Sequence, residues 1–307
     1  MGTPDVVVPV LDSLSACPCV DLVGVYTQPP RPKSRGNQVQ LSPVHVWAQE
    51  RQIPVYHPLN FKNEQDIQDF KNLHLDVAVV AGYGLLLPEP ILNAPRQGCL
   101  NIHPSILPRW RGPSPIQYTI LSGDRQTGVS TMILDRGMDT GNVIDQKIIP
   151  LDLTETAPQL NDILWQMGAE MMCQTLMQIS RGEPVASTPQ PSSGVTYSKL
   201  LKKEEGRIDW HRPATEIDAQ IRALTPWPGT YCENDLGGRF KIIAAVVSKS
   251  ISDSSISPPG TVLDSAGHIQ CGDQSILQIL KIQPDNKKPM DVASAINGGY
   301  LRVGYLL

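Results

Sequence analysis

The sequence predicts two domains: an α/β domain built on a doubly wound, Rossmann-like and mostly parallel sheet, and after it a small β-barrel. Three observations predict this architecture. The chain has 307 residues, which is enough for two hydrophobic cores. Apolar runs alternate with helical patterns in the first half of the chain. The last third instead has short apolar segments separated by turn-forming residues.

The strands and helices of the first domain are predicted from hydrophobic patterns. Residues 76–81 are almost continuously apolar, as central parallel strands are because both of their faces are buried. Further strands are predicted at 22–26, 98–102 and 128–134, and helices at 44–51, 114–122 and 154–179. Because strands alternate with helices, we expect ligands to bind at the carboxyl ends of the strands.

The boundary between the domains is predicted from composition. Residues 183–194 are rich in Pro and Ser, which is typical of a connecting segment. We therefore expect the α/β domain at 1–182, a linker at 183–206 and the barrel domain at 207–307. In the barrel domain, a helix at 214–223 is followed by short strands.

Charge and composition narrow the class of protein. Hydrophobic residues make up 40% of the chain, and no apolar stretch reaches the roughly 20 residues of a membrane span. No secretory signal is readable, so we expect a cytoplasmic protein without membrane association, and nothing requires more than a monomer. The net charge is −4, but residues 197–307 carry 13 basic and 12 acidic side chains, whereas residues 1–196 carry 13 and 18. This asymmetry permits a nucleic-acid partner for the second domain.

The six cysteines do not form a recognisable metal or disulfide pattern. Cys17 and Cys19 are separated by one residue, which is not the spacing of a zinc knuckle, and no second pair complements them. We expect free thiols, no disulfide and no bound metal.

The candidate catalytic residues lie in two segments. Asn101 and His103 are two residues apart at the end of a predicted strand, so their side chains project from the same face. A glycine-rich segment at 134–141 supplies Asp139. An amide and an imidazole can stabilise an oxyanion, and a carboxylate can orient the imidazole or move protons. Together these side chains predict acyl transfer to an amine. Asp135 is a rival carboxylate on the same segment, and Asp139 alone also suits a helix cap.

Around these residues the chain resembles the folate-dependent formyltransferases. The run NIHPSILPRWRGPSPIQ begins at Asn101 and is followed by LDRGMDTG from Leu134. The hallmark of that family is an Asn-x-His pair, a Ser-x-Leu-Pro segment and a downstream Asp. The segments GTPD at 2–5, TQP at 27–29, RIDW at 207–210 and RALTPWP at 222–228 are also similar to it. The resemblance therefore spans nearly the whole chain and is strongest to the members that formylate a tRNA.

The resemblance implies a reaction and its participants. The formyl donor is 10-formyltetrahydrofolate as a co-substrate, and the acceptor is the α-amine of methionine on charged initiator tRNA. The amide of Asn101 and a ring N–H of His103 donate to the formyl oxygen. Asp139 accepts the proton of the incoming ammonium and holds the His103 tautomer. We expect direct transfer without a nucleophilic side chain. The resemblance also implies that the C-terminal domain is an oligonucleotide-binding-like β-barrel.

Binding residues are expected in segments outside the catalytic three. Folate contacts are expected from Leu85, Leu87, Ser105, Ile106, Leu107, Pro108, Asp135, Gly137 and Met138. Contacts to tRNA are expected from Arg31, Lys33, Arg35, Lys202, Lys203, Lys287 and Lys288, because cations bind phosphates. The two leucines equally suit a hydrophobic core, and the lysines equally suit an ordinary solvated surface.

Other functions remain open at this point. The acceptor of the same chemistry could be a sugar nucleotide or glycinamide ribonucleotide. A non-catalytic RNA-binding protein and hydrolysis of the formyl donor are further alternatives. In the family an apolar strand precedes the Gly-Thr-Pro turn, whereas Met1 directly precedes Gly2 here. We therefore expect the sheet to lack its first strand and the natural start to lie upstream.

Overall fold

A computed structural model describes residues 1–33, 38–233, 238–248 and 257–307, with only the backbone described at 31–33 and at 38 and 39. The helices are α1 (Val8–Ala16), α2 (Pro43–Glu50), α3 (Glu64–Lys71), α4 (Glu89–Leu92), α5 (Pro115–Leu121), α6 (Ala157–Ser180), α7 (Ala214–Leu224) and α8 (Val292–Asn297). The strands are β1 (Val25–Tyr26), β2 (Arg31–Lys33), β3 (Gln38–Gln40), β4 (Val55–Tyr56), β5 (Ala78–Val80), β6 (Cys99–His103), β7 (Gln126–Ile133), β8 (Val143–Pro150), β9 (Thr230–Glu233), β10 (Arg239–Ser248), β11 (His268–Gln270), β12 (Ile276–Pro284) and β13 (Met290–Asp291).

The described chain forms two compact units. The first consists of Met1–Pro115, Gln126–Pro150 and Leu160–Lys199, and the second of Ile116–Arg125, Leu151–Gln159 and Leu200–Leu307. The first contains helices and a sheet with both parallel and antiparallel strand pairs, and the second contains an antiparallel sheet, so the predicted fold class is confirmed.

The sheet of the first unit has the strand order β5-β6-β7-β8. Strand β6 runs parallel to β5, as predicted, but β7 and β8 follow in antiparallel pairs. The sequence analysis missed β8, because its exposed positions interrupt the apolar pattern by which strands were recognised. Strand β6 is buried at all five positions, which fixes its place in the interior of the sheet.

Met1 and Gly2 form backbone hydrogen bonds both to the strand pair β1–β4 and to the four-stranded sheet that contains β5. Strand β1 pairs in parallel with β4, outside the sheet that contains β5. The amino group of Met1 donates to Val79 O at 2.7 Å, Ala81 N donates to Met1 O at 2.9 Å, and Gly2 N donates to Tyr26 O at 2.9 Å. A cavity of about 570 Å³ beside Met1 is lined by residues of both β1 and β5.

Aromatic packing closes the first unit behind the sheet. Tyr26 stacks on Tyr56 with ring centroids 4.7 Å apart and meets the edge of Phe70 at 5.2 Å. Phe61 and Tyr83 join the same buried cluster, which Ala78 and Val80 of β5 complete. These rings bury large areas in preferred geometries and so hold the strand pair β1–β4 to the core.

The second unit is the antiparallel sheet of the predicted barrel. Its strand order is β11-β12-β10-β9, and β13 pairs with β12. Alternate residues of each long strand, Phe240 and Ile242 on β10 and Leu277 and Ile279 on β12, belong to one buried core together with Ile217 of α7. The inward faces of these strands thus pack against the buried face of α7. This helix begins at Ala214, as predicted.

Two general features complete the description. No helix in the described part of the chain is long and apolar enough to cross a membrane. All six cysteines are free thiols.

We predict that Gly168→Ala destabilises the first unit. A Cβ at Gly168 of α6 would lie 2.3 Å from Cγ2 of Ile102 and 3.1 Å from Cγ1 of Val129. Alanine normally stabilises a helix interior by up to about 1 kcal/mol over glycine. Here the overlap with a buried β-branched side chain reverses that gain, and we expect a net loss of about 1–3 kcal/mol in the free energy of unfolding.

Urea unfolding followed by circular dichroism measures this change. The control is Gln174→Ala, which alters an exposed position of the same helix and should change the free energy of unfolding by less than about 0.5 kcal/mol. A Gly168→Ala protein as stable as the wild type would contradict this description of the packing between α6 and β6.

Candidate active site

Strand β6 places two polar side chains on one face of the sheet. Asn101 lies opposite Val80 on one side and Met132 on the other, and His103 lies opposite Ser130. Both side chains are buried, with relative exposures of 7% and 4%. Within the described residues, the side-chain amide of Asn101 has no hydrogen-bond partner in the protein. It can therefore donate to a substrate oxygen.

The tautomer of His103 is set by a backbone carbonyl. Its Nε2 lies 2.9 Å from the carbonyl oxygen of Trp110. Because a carbonyl only accepts, Nε2 carries a proton in this contact. The other ring nitrogen, Nδ1, faces Oδ2 of Asp139 at 3.7 Å, which is beyond direct hydrogen-bond distance. The Trp110 carbonyl is thus the hydrogen-bond partner of the ring in this structure, and the role of Asp139 toward His103 stays a prediction.

Asp139 is held by the loop that follows β6. The backbone N–H of Gly112 donates to Oδ2 of Asp139 at 2.7 Å. Gly112 has a φ of +109°, and a Cβ there would lie 2.4 Å from the carbonyl oxygen of Ser198. Asp139 itself has a φ of +54°, a left-handed conformation that costs a non-glycine residue on the order of 1 kcal/mol. The surrounding contacts therefore hold Asp139 in a backbone conformation that a non-glycine residue does not prefer.

Asp135 organises the loop that contains Asp139. Its Oδ1 accepts hydrogen bonds from Gly137 N at 3.0 Å and from Thr140 Oγ1 at 2.6 Å. Arg136 turns outward and pairs with Glu89, whose pKa this contact lowers. Asp135 thus closes a turn, whereas the carboxylate of Asp139 faces His103.

The Ser105–Pro108 segment is held by two polar side chains that the sequence analysis did not single out. Ser130 on β7 donates from Oγ to Ser105 O at 2.7 Å and accepts from Leu107 N at 3.1 Å. Gln146 on β8 donates from Nε2 to Leu107 O and to Ser130 Oγ, both at 2.8 Å. Ser130 and Gln146 could have been recognised only from their positions on strands near β6. That recognition requires the strand order β6-β7-β8, which the sequence does not show.

The residues expected to contact folate differ widely in exposure. Ser105 and Leu107 are buried, Ile106 and Pro108 are half-buried, and 46% of Met138 is exposed. Leu87 belongs to the aromatic core cluster, and Leu85 packs against the same cluster. These two leucines therefore have a packing role whether or not they also contact a ligand.

The cations expected to contact tRNA are distributed over both units. Arg31 and Lys33 lie on β2, which pairs with β3, and Arg35 lies outside the described residues. Lys202 and Lys203 are exposed, but Glu204 and Glu205 follow them directly and balance their charge. Lys287 and Lys288 are exposed in the turn after β12.

The second unit brings together further cations and a ring that the sequence analysis missed. The guanidinium of Arg239 lies over the ring of Tyr231, 3.8 Å from its centroid. Lys241 is the strand partner of Tyr231, and both cations are exposed. Asp285 N donates to Arg239 O at 3.2 Å, which places the turn with Lys287 beside β10. Tyr231, Arg239 and Lys241 are not adjacent in the sequence, and only the pairing of β9 with β10 brings them together.

Cys99, on the same strand as Asn101 and His103, is not suited to act as a nucleophile. Cys99 begins β6, and its Sγ donates to Ile91 O at 3.6 Å. Burial raises the pKa of the Cys99 thiol to about 12. A thiol with that pKa remains protonated near neutral pH and cannot form the reactive thiolate.

Two family descriptions match the chain. Formyl transferase matches residues 1–176, and the formyl transferase C-terminal domain matches residues 200–299. Methionyl-tRNA formyltransferase of Paramagnetospirillum magneticum is 47% identical over 100% of this chain and 98% of its own length. The protein of the same name from Parvibaculum lavamentivorans is 45% identical over 99% of this chain and 97% of its own length.

Solved structures share the fold at low sequence identity. An N-formyltransferase from Helicobacter canadensis, in complex with folinic acid and dTDP-3-aminofucose, is 18% identical with a TM-score of 0.64, over 92% of this chain and 97% of that one. HypX from Aquifex aeolicus, in complex with tetrahydrofolic acid, is 17% identical with a TM-score of 0.59, over 84% of this chain and 47% of that one. The full-length identity to the bacterial relatives settles the family, and the chain belongs to the methionyl-tRNA formyltransferases.

Proposed function

We propose that this protein transfers the formyl group of 10-formyltetrahydrofolate to the α-amine of methionine on charged initiator tRNA. The proposal is carried by one observation: Asn101 and His103 share a face of β6, and the carboxylate of Asp139 lies 3.7 Å from Nδ1 of His103. The Ser105–Pro108 segment, which follows β6 and is held by Ser130 and Gln146, offers a firmly held surface for the folate. A protein with this substrate acts where translation starts, which in bacteria is the cytoplasm.

The unpartnered amide of Asn101 is suited to stabilise the oxyanion. When an amine attacks the formyl carbon, the carbonyl electron pair moves to oxygen, and a fixed donor nearby lowers the energy of that charge. The buried position of Asn101 strengthens this effect because water does not screen it. Removal of such a donor typically costs about 10²–10³ in turnover.

His103 and Asp139 are suited to handle the proton of the amine. With Nε2–H donated to Trp110, the neutral ring presents an unprotonated Nδ1 toward the carboxylate. Two acceptors thus lie 3.7 Å apart, and either can take the proton that the ammonium must lose before its nitrogen attacks the formyl carbon. The protonated ring then pairs with Asp139 and can return the proton to the folate nitrogen as the carbon–nitrogen bond breaks. No covalent enzyme intermediate is needed.

Three exposed cations, Arg239, Lys241 and Lys287, and the half-buried ring of Tyr231 form a group that is suited to bind tRNA. The cations supply phosphate contacts, and a flat ring beneath a guanidinium resembles the surfaces on which bases stack. The second unit is also the part of the chain with the more basic balance of side chains. We propose that this face contributes to acceptor binding together with Arg31, Lys33 and Arg35.

Other acceptors are not favoured. The sugar N-formyltransferases share the fold but are only 18–19% identical, whereas the methionyl-tRNA formyltransferases match at 42–47% over nearly the full chain. The proposal is tested by incubating the protein and 10-formyltetrahydrofolate separately with methionyl initiator tRNA and with an aminosugar nucleotide. Formylation of the tRNA alone supports the proposal, and formylation of the sugar alone refutes it.

We predict that His103→Ala and Asp139→Asn each lower kcat by at least about 10²-fold. Each change removes one of the two acceptors that face the attacking amine, while the tRNA surface of the second unit is untouched. The dissociation constant for tRNA should therefore stay within about twofold of the wild type.

Rapid-quench assays of formyl transfer and filter binding measure the two quantities. Asp145→Asn is the control, because Asp145 is an exposed carboxylate on β8 whose loss should leave kcat within about twofold. Substantial transfer by Asp139→Asn would remove Asp139 from the mechanism.

We predict that the double variant Arg239→Ala/Lys241→Ala binds tRNA more weakly and with a smaller dependence on salt. Every cation–phosphate pair that the substitutions remove should reduce the slope of log Kd against log salt concentration by about 1. Filter binding at several salt concentrations measures the slope, and Lys71→Ala, an exposed cation at the end of α3, is the control. An unchanged slope in the double variant would mean that this face does not bind tRNA.

A further inference from the structure

A segment with the composition of a linker is fastened along the candidate active site. Thr188 exchanges two backbone hydrogen bonds with Val143 of β8, at 2.8 and 2.9 Å. Further along, Arg111 N donates to Thr196 O at 3.0 Å, and Ser198 N donates to Arg111 O at 2.7 Å. The chain between these two attachments therefore runs beside the loop that contains Gly112.

Gln190 lies between the two attachments and joins both catalytic loops. Its Oε1 accepts from Nε and Nη2 of Arg111, at 3.1 and 2.8 Å. Its Nε2 donates to the carbonyl oxygens of Asp139 and Gly141, both at 2.8 Å. The side-chain amide thus uses both of its N–H groups and accepts twice at its oxygen, which is its full hydrogen-bonding capacity.

We propose that Gln190 is a positioning residue: it orients the carboxylate of Asp139 for proton transfer in the proposed formyl-transfer reaction. Its two donated bonds hold the carbonyls on either side of Thr140 and so hold Asp139 in its left-handed conformation. Its bonds to Arg111 hold the residue directly before Gly112, whose N–H binds the carboxylate. One side chain therefore fixes both partners of the hydrogen bond between Gly112 and Asp139.

The acceptor and donor ends of Gln190 can be tested separately. Gln190→Ala removes all four hydrogen bonds, whereas Gln190→Glu keeps an acceptor for Arg111 and replaces the donor by a carboxylate that faces two carbonyl oxygens. If the donor end positions Asp139, both variants lose activity. A misplaced catalytic group can cost up to about 10²-fold, and we expect kcat to fall by about 10–100-fold in each.

The expected signature is a fall in kcat while the KM values for the folate and the tRNA change by less than about threefold. Gln270→Ala is the matched control, because Gln270 also donates from Nε2 to two carbonyl oxygens, those of Cys271 and Ser275 in the second unit. Its loss should lower thermal stability without lowering kcat. If Gln190→Ala and Gln190→Glu fold and keep kcat within about twofold, the positioning role is wrong.

A second measurement keeps this inference separate from the proposed function. Hydrogen–deuterium exchange, read by NMR at the Gly112 amide, reports on the bond to Asp139 without any substrate. We expect faster exchange in Gln190→Ala and unchanged exchange in Gln270→Ala. If the wild-type protein is inactive but the Gly112 amide still exchanges faster in Gln190→Ala, the proposed reaction is refuted and the positioning role is retained. Unchanged exchange in Gln190→Ala would overturn the positioning itself.

Discussion

The candidate active site depends on the hydrogen bond between the Gly112 amide and the Asp139 carboxylate. The two residues come from loops 27 positions apart in the chain, and this bond of 2.7 Å joins them. It requires a backbone at Gly112 that approaches Ser198 too closely for any Cβ, and a left-handed conformation at Asp139. Because both conformations are costly for ordinary residues, the surrounding contacts must over-determine them. Those contacts include the four hydrogen bonds of Gln190 and the bond from Ser198 N to Arg111 O.

The chemistry follows from how that bond combines with a buried strand. Strand β6 is fully buried, so it holds Asn101 and His103 rigidly and away from bulk water. The Trp110 carbonyl then selects which imidazole nitrogen is unprotonated, and that nitrogen faces the carboxylate. A free amide donor and a pair of proton acceptors on one side of a sheet are what amine attack on a formyl group needs. We propose that the charged face of the second unit contributes to binding of the acceptor.

The sequence predicted local features well and contacts across the fold poorly. The spacing of Asn101 and His103 fixed their shared face because a strand has a period of two, and residues 76–81 identified β5 by continuous apolarity. Ser130, Gln146 and Gln190 are ordinary polar residues in sequence, and only the pairing of β7 with β8 and the path of residues 188–198 give them partners. The composition of residues 183–194 predicted only a linker between domains. Composition indicates a preference for turns, but it does not indicate hydrogen bonds to distant residues such as those of Gln190.

The central claim is that the amine of methionyl-tRNA, and not water, receives the formyl group at this site. The most direct measurement follows the loss of 10-formyltetrahydrofolate and the appearance of formylmethionyl-tRNA in the same reaction. We expect one formylated tRNA for each donor consumed and negligible donor loss when tRNA is omitted. Consumption of the donor without tRNA at a comparable rate, or a folded protein that consumes none with tRNA present, would contradict it.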